Sequence, residues 1–333
     1  MSACYFSTID LRSGYWQIPV EPSDAHKTAF SFGAEYGLFE FKVLPFGLTE
    51  APVTFQRLMN SLFSDMPFVC VYLDDIIVFS RSKDEHWHHS EAVFRALADA
   101  RLTVNSDKSV FSLEEISYLG YIFDRNGMRT DPAKTNVIID YPIPTCVKDV
   151  QKFLGIANYY RRFIKNFAGI ARPLHNIVKK NDTFVFTEEC LKAFNELKKC
   201  LVSPPTLSYP DSRINFSVST DASNKAVGAV LEQNGKAISF ASRALSPTEC
   251  KFSTYELECL AIVYALKQFR QYLLGKKFQL FSDHEPLKWL LNNKSRNGRV
   301  GRWVMQLQEF DFDIIYRKGS ENSRSDFLYR LCS

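Results

Sequence analysis

Val69-Cys70-Val71-Tyr72-Leu73-Asp74-Asp75-Ile76-Ile77-Val78-Phe79 is the stretch that decides how this chain reads. Two runs rich in β-branched and aromatic residues flank Leu73 and a pair of carboxylates, the pattern of a tight apolar hairpin with Asp74 and Asp75 at its tip. Adjacent carboxylates resist joint ionisation unless cations neutralise them. An Asp-Asp turn facing water and a divalent-metal platform are both open at this point. Asp10 closes another apolar run, Tyr5-Phe6-Ser7-Thr8-Ile9. Two acids on a hairpin with a third at a neighbouring strand end form the arrangement that holds two divalent ions against a triphosphate for in-line displacement.

Outward from the hairpin, 333 residues at 46% hydrophobic suffice for two or three domains with cores of their own, and exclude a disordered chain. A formal net charge of +4 permits a polyanionic partner without requiring one. No 18-residue apolar run and no charged-then-apolar leader is present, so neither a membrane span nor a secretory signal is expected and the chain reads as intracellular. Cys4, Cys70, Cys146, Cys190, Cys200, Cys250, Cys259 and Cys332 are scattered with no C-x-x-C spacing, which speaks against zinc and disulfide frameworks.

Three zones divide the sequence. Residues 1–140 alternate short strands with turn signals and a helical stretch around Ser90–Arg101, an α+β pattern. Residues 141–208 open with Tyr141-Pro142-Ile143-Pro144, which forces extended backbone, and then turn helical and basic. Between 148 and 180, eight Lys or Arg face the single acid Asp149, a local net of +7. A polyanion-binding surface and a solvated helix face are the two readings, and the one-sided sign favours the first. Pro204-Pro205 and Pro210-Asp211 precede the third zone, residues 209–333. There Ile214, Phe216 and Val218 alternate as a half-buried strand ending at Thr220-Asp221, Asn234-Gly235 marks a hairpin, and a helix is expected over Ser253–Leu274, stopped by Gly275.

A second set of acids sits in that zone. Asp221 and Asp283 end strand-like runs, and Asp326 lies in Asn322-Ser323-Arg324-Ser325-Asp326. The long helix offers Glu256 and Glu258. Glu258 shares a stripe with Ala261, Ala265 and Phe269, whereas Glu256 lies ~200° around the helix and faces away from the sheet. A lone acid on a core-facing stripe is costly unless a cation or donor meets it, so Glu258 is the candidate.

Phe6-Ser7-Thr8-Ile9-Asp10-Leu11-Arg12-Ser13-Gly14-Tyr15, Lys27-Thr28-Ala29-Phe30, Leu44-Pro45-Phe46-Gly47-Leu48, Ala51-Pro52-Val53-Thr54-Phe55-Gln56 and Tyr72-Leu73-Asp74-Asp75, in this order, resemble the reverse transcriptases of gypsy-type LTR retrotransposons. The resemblance implies a palm domain in which Asp10, Asp74 and Asp75 carry the metal, Tyr15 sits under the incoming sugar as a steric gate, and Phe46 lies near the nucleotide. A core tyrosine in a strand-to-helix turn is the plainer reading of Tyr15. Gln151-Lys152-Phe153-Leu154-Gly155-Ile156-Ala157-Asn158-Tyr159-Tyr160-Arg161-Arg162-Phe163 is similar to the family's thumb. Gln151, Gly155 and Tyr159 stack on one helix face, which would present an amide, a gap and an aromatic edge to a duplex minor groove. Lys152, Arg161 and Arg162 would hold phosphates, and a helix-packing glycine is the alternative for Gly155.

Asp221, Glu258, Asp283 and Asp326 resemble the ribonuclease H set that follows the polymerase in the same family, which implies two-metal hydrolysis of the RNA strand of a hybrid. The expected architecture is α+β and multidomain: palm, helical thumb, then a ribonuclease H-like α/β domain with a mixed sheet. Mg²⁺ is the expected ion and Mn²⁺ suits the same all-carboxylate ligands. Implied partners are an RNA template, a DNA primer-template, an RNA–DNA hybrid and deoxyribonucleoside triphosphates, with no membrane. Cytoplasmic, virus-like-particle localisation with nuclear passage is implied. The family's fingers, protease and integrase have no counterpart in the sequence, and Glu50 stands where the family has Asn. A chain with a working ribonuclease H and an inert polymerase, and a relic that only binds nucleic acid, are the competing expectations.

Overall fold

Short runs rich in β-branched and aromatic residues build the first sheet, and Ile76, Ile77 and Val78 are buried in succession in its interior. Its members are β1 (Tyr5–Leu11), β2 (Val69–Tyr72), β3 (Asp75–Ser80) and β4 (Val104–Leu113), in the order β2-β3-β1-β4 with every pairing antiparallel. Two helices cover one face: α1 (Ala51–Leu62), with Pro52 in its first turn where no amide N–H is needed, and α2 (Lys83–Asp99). Ile9, Leu11, Ile76 and Val78 of the sheet pack against Phe55, Met59, Val93 and Leu97 of the helices. The computed structural model describes residues 3–179, 184–282 and 298–316. They fall into two compact units, Met1–Asn126 and Gly127–Ser333. The hairpin β5 (Glu115–Tyr118) and β6 (Tyr121–Asp124) completes the first unit.

Helix α2 begins seven residues earlier than the pattern around Ser90 suggests, because Ser82 caps it: the Ser82 Oγ accepts from Glu85 N–H at 3.2 Å and Glu85 accepts from Arg81 N–H at 2.7 Å. Its first turns bury His86, which is 2% exposed. The ring bridges Ser7 Oγ of β1 at 2.7 Å and Ser80 Oγ of β3 at 2.8 Å, and Ser80 also meets His89, stacked on Phe68. Burial first, then the neighbouring His89, push the His86 pKa below its ordinary value. The ring's hydrogen-bond partners are these two hydroxyls, neither of them acidic. A histidine with a lowered folded pKa binds fewer protons folded than unfolded, so its contribution to stability is present above about pH 6.5 and is lost as pH falls below it. Melting of the chain should therefore drop on acidification from pH 7 to 5, and His86→Gln should flatten that dependence; an unchanged slope would remove His86 from the account.

The second unit opens with β7 (Gly127–Thr130), which bridges from Met128 to Leu207, followed by α3 (Pro132–Ile139), α4 (Val147–Tyr159), α5 (Phe167–Lys179) and α6 (Glu188–Val202). Phe153 and Phe194, fully buried with ring centroids 4.5 Å apart, tie α4 to α6. A five-stranded sheet follows: β8 (Ser217–Ala222), β9 (Ala226–Gln233), β10 (Lys236–Ala244), β11 (Lys277–Ser282) and β12 (Asp311–Tyr316), ordered β10-β9-β8-β11-β12. The first three are antiparallel, whereas β11 is parallel to both β8 and β12, so the sheet is mixed. Asn234 and Gly235 take φ of 49° and 73°, the left-handed pair that a two-residue hairpin of type I′ needs. Helix α7 (Thr254–Gln268) lies on β8 and β9. It is shorter than the expected Ser253–Leu274: the backbone leaves the helical region at Phe269 and a separate turn, Arg270–Leu273, precedes Gly275. The basic helices belong to this unit, because α5 packs on β10. No described helix is long and apolar enough to cross a membrane.

Candidate active sites

Tyr72 pairs with Asp75 across the hairpin, which leaves Leu73 and Asp74 as its two-residue tip. Leu73 takes φ of 56°, a left-handed conformation unusual for a branched side chain. Gln56 of α1 holds it there: Leu73 N–H donates to Gln56 Oε1 at 2.7 Å and Gln56 Nε2 donates to the Val71 carbonyl at 3.2 Å. The β1–β3 register sets Asp10 directly opposite Asp75. Asp10 N–H donates to Ser109 Oγ at 3.1 Å, and the Tyr118 hydroxyl donates to the Asp75 carbonyl at 3.0 Å, so both strand ends are braced. A Cβ at Gly14 would stand 3.1 Å from Asp74 Cβ, which explains the glycine beside the turn.

Partial burial first, then the charges of Asp74 and Asp10, raise the Asp75 pKa above the ordinary carboxylate value. The three acids thus share one sheet edge and one field. As the side chains stand, no three His, Cys, Asp or Glu among the described residues are close enough to hold one metal ion. The donor set nevertheless fits a hard divalent cation, since it is all carboxylate oxygen and its mutual repulsion is what such a cation relieves.

Tyr15 and Phe46 come together beside this edge. Their rings meet edge-to-face at 5.2 Å, and Tyr15 meets Phe55 likewise at 5.1 Å. Burial, then Asp74 and Tyr72, raise the Tyr15 pKa, so the phenol stays protonated next to the carboxylates. Phe46 is 64% exposed, an aromatic surface open to a ligand rather than a core ring.

On α4, Gln151, Lys152, Gly155 and Tyr159 are all exposed, while Val150, Phe153, Leu154 and Ala157 bury the other face. A Cβ at Gly155 would meet nothing within 4 Å, so the fold does not require glycine there. Gly155→Ala should then raise stability by about 0.5–1 kcal/mol through helix propensity. If close approach of a duplex is what the glycine serves, the same variant should weaken hybrid binding severalfold in a fluorescence anisotropy titration. Arg161, expected on this surface, is engaged with protein instead: its guanidinium donates to the Ser242 carbonyl of β10 and to Asn158 Oδ1 and lies 5.6 Å from the Phe167 ring centroid. Arg162 is half-buried.

In the second unit, Asp221 sits on β8 opposite Gly228. Glu258 is 4% exposed on the face of α7 shared with Ala261, Ala265 and Phe269, all buried. Glu256 has a structural task. It completes a capping box with Ser253, accepting from Ser253 N–H at 3.0 Å, and pairs with Arg299 at 3.0 Å. Cys259, next to Glu258, is pushed up to about 12 by burial, with smaller opposing and reinforcing effects from Tyr255, Glu258 and Glu256. Asp283 and Asp326 lie outside the described residues. Gln56, Ser109 and Tyr118 are residues to which sequence reasoning gave no role; only Gln56 fell within a recognised run, and nothing in its spacing showed what it would hold.

Residues 1–123 match the family described as reverse transcriptase (RNA-dependent DNA polymerase), and residues 211–310 match the RNase H-like domain found in reverse transcriptase. The chain is 46% identical over 331 residues to the retrovirus-related Pol polyprotein from transposon 297 of Drosophila melanogaster, covering 98% of this chain and 31% of that protein. It is 38% identical over 343 residues to the corresponding polyprotein from transposon gypsy of the same organism, covering 98% and 33%. Among solved structures, the foamy viral protease-reverse transcriptase in complex with RNA/DNA hybrid superposes with a TM-score of 0.83 at 26% identity, over 96% of this chain and 44% of that one. The same enzyme's dRH form in complex with double-stranded DNA gives 0.84 at 26% identity, over 96% and 57%. The chain spans about a third of the length of the Pol polyproteins it matches. With a reverse transcriptase region carrying the Asp10–Asp75 edge and an RNase H-like domain carrying Asp221 and Glu258, this chain belongs to the Pol polyproteins of gypsy-type and other LTR transposons.

Proposed function

We propose that the chain is an RNA-directed DNA polymerase joined to a ribonuclease H that cleaves the RNA strand of RNA–DNA hybrids. The observation that carries the polymerase reading is the register that sets Asp10 across from Asp75, with Asp74 next to it on a braced turn. Asp10, Asp74 and Asp75 would hold divalent ions, Mg²⁺ or equally Mn²⁺, which lower the pKa of an attacking hydroxyl and neutralise charge on a triphosphate and its leaving group. Gln56 fixes the turn, Ser109 and Tyr118 fix the strand ends, and Tyr15 with Phe46 offers an aromatic floor to the deoxyribose of an incoming nucleotide. The exposed Gln151–Lys152–Gly155–Tyr159 face of α4 suits the minor groove of a primer-template, with RNA or DNA as template. In the second unit, Asp221 and Glu258, with Asp283 and Asp326, are the residues we assign to hydrolysis, Glu258 being a buried carboxylate of the kind a metal site retains. Relatives in complex with double-stranded DNA and with RNA/DNA hybrid support these partners.

The test separates the two activities. With Mg²⁺, the unaltered chain should extend a DNA primer on an RNA template and cut the RNA of a hybrid. Asp74→Asn should lose the first activity and keep the second, and Asp221→Asn should do the reverse. Equal activities in all three proteins would sink the enzymatic reading. A second reading, cleavage without polymerisation, is favoured by one observation: Phe32, Tyr36 and Leu38 are 73%, 61% and 78% exposed, an apolar patch of the kind that further protein covers. Cleavage with no primer extension by the unaltered chain would select it.

A further inference from the structure

Lys165 stands where the basic helices meet the mixed sheet, and the backbone on both sides of it is anchored. Phe163, Ile164 and Phe167 are exposed by only 1%, 2% and 3%. Asn166, in the left-handed region at φ 50°, accepts from Gly169 N–H at 3.0 Å and Ile170 N–H at 3.1 Å through its carbonyl, and so starts α5. A Cβ at position 169 would stand 2.5 Å from Asn166 Oδ1, so the glycine lets this side chain close over the first turn. Ala168 N–H donates to Ser242 Oγ at 2.9 Å, and the Arg161 guanidinium reaches the Ser242 carbonyl. The loop is thereby fixed to β10, and Lys165 cannot swing away with its backbone.

Held in that way, Lys165 and Asn166 line one cleft with Ser219, Asp221, Ser223 and Phe240. The buried hydroxyl of Thr220, 2% exposed, is part of the same wall and has no hydrogen-bond partner among the described residues. A cleft lined by an ammonium group, a carboxylate and several hydroxyls suits a phosphodiester. Lysine is a compact point charge with three donors for phosphate oxygens, and a carboxylate can hold the cation that the same phosphate needs. Given the ribonuclease reading, we infer that Lys165 is a phosphate-binding residue of the nuclease site, contributed by the helical segment, and that it positions the nucleic-acid strand against Asp221. The basic helices then serve the cleavage site as well as any primer-template.

The experiment uses the whole chain with Lys165→Met and Lys165→Arg on an RNA–DNA hybrid. In Mg²⁺, Lys165→Met should raise the KM for cleavage about tenfold, the loss of one charge-assisted contact, with kcat within about twofold. In EDTA, where no cleavage occurs, its hybrid affinity should fall less steeply with salt, the log–log slope shrinking by about one unit. Lys165→Arg should restore KM and slope together. Unchanged KM and slope in a cleaving chain would overturn the assignment while leaving the ribonuclease reading intact. A loss of kcat alone would overturn it too, making Lys165 a partner of Asp221 and not of phosphate. If the unaltered chain does not cleave, the ribonuclease reading fails, and the EDTA slope still decides whether Lys165 touches the backbone.

Discussion

Asp75→Asn should lower primer extension by about a hundred- to a thousandfold at neutral pH and leave hybrid cleavage within about twofold. The residue faces Asp10 in register, adjoins Asp74, and points no apolar group into the core, so the amide removes charge without disturbing packing. Its folded-state pKa is raised by partial burial and by those two acids, so the folded chain binds more protons than the unfolded one in the interval above the ordinary value of 3.8. Stability therefore falls as pH rises from 3.8 through the raised value, and above that interval the ionised set remains unfavourable. A divalent cation bound at the edge would relieve this repulsion. Mg²⁺ should raise the melting temperature more at pH 7 than at pH 4, and Asp75→Asn should reduce the difference, the remainder belonging to the second carboxylate set. Primer extension by Asp75→Asn at the unaltered rate would dismiss the edge as a polymerase centre, whatever the melting data show.

The parts of this site that were legible in sequence are those governed by local period. Paired apolar runs around Leu73 gave the hairpin, Asn234-Gly235 gave a turn whose two residues both need positive φ, and the α7 stripe separated Glu258 from Glu256 by helical geometry alone. What escaped was long-range. The hydrogen bond from Gln56 to Leu73 crosses 17 residues and that from Ser109 to Asp10 crosses 99, and no pattern in a single sequence encodes either. The parallel pairing of β11 with β8 is of the same kind, because nothing in the residues of either short strand marks a parallel over an antiparallel partner. Arg161 shows the limit most directly: its charge suggested phosphate, and only the packing of the Arg161–Phe163 turn on β10 revealed a carbonyl acceptor. The exposed face of α4 followed its period, yet the sequence alone could not say whether Gly155 answered to a neighbouring helix or to open space.

Glu258→Gln should reduce hybrid cleavage by about a hundred- to a thousandfold, with primer extension unaffected, because the substitution keeps the shape of a buried side chain and deletes only its charge. Glu256, two residues away, supplies the control. Its carboxylate closes the capping box with Ser253 and pairs with Arg299, whose guanidinium also stacks 4.0 Å from the Phe252 ring. Glu256→Ala should lower stability by about 1 kcal/mol, read from a denaturant midpoint, and leave cleavage by the folded fraction within about twofold. The two variants thus move different observables on one helix. Reversal of the pair, with Glu256→Ala inactive and Glu258→Gln active, would mean that the capping acid does the chemistry and that the buried one is a packing residue. The burial of Glu258 argues against that outcome. A carboxylate at 4% exposure on the same face as the buried Ala261, Ala265 and Phe269 is costly to retain, and a hydrolytic metal site would give that charge a use.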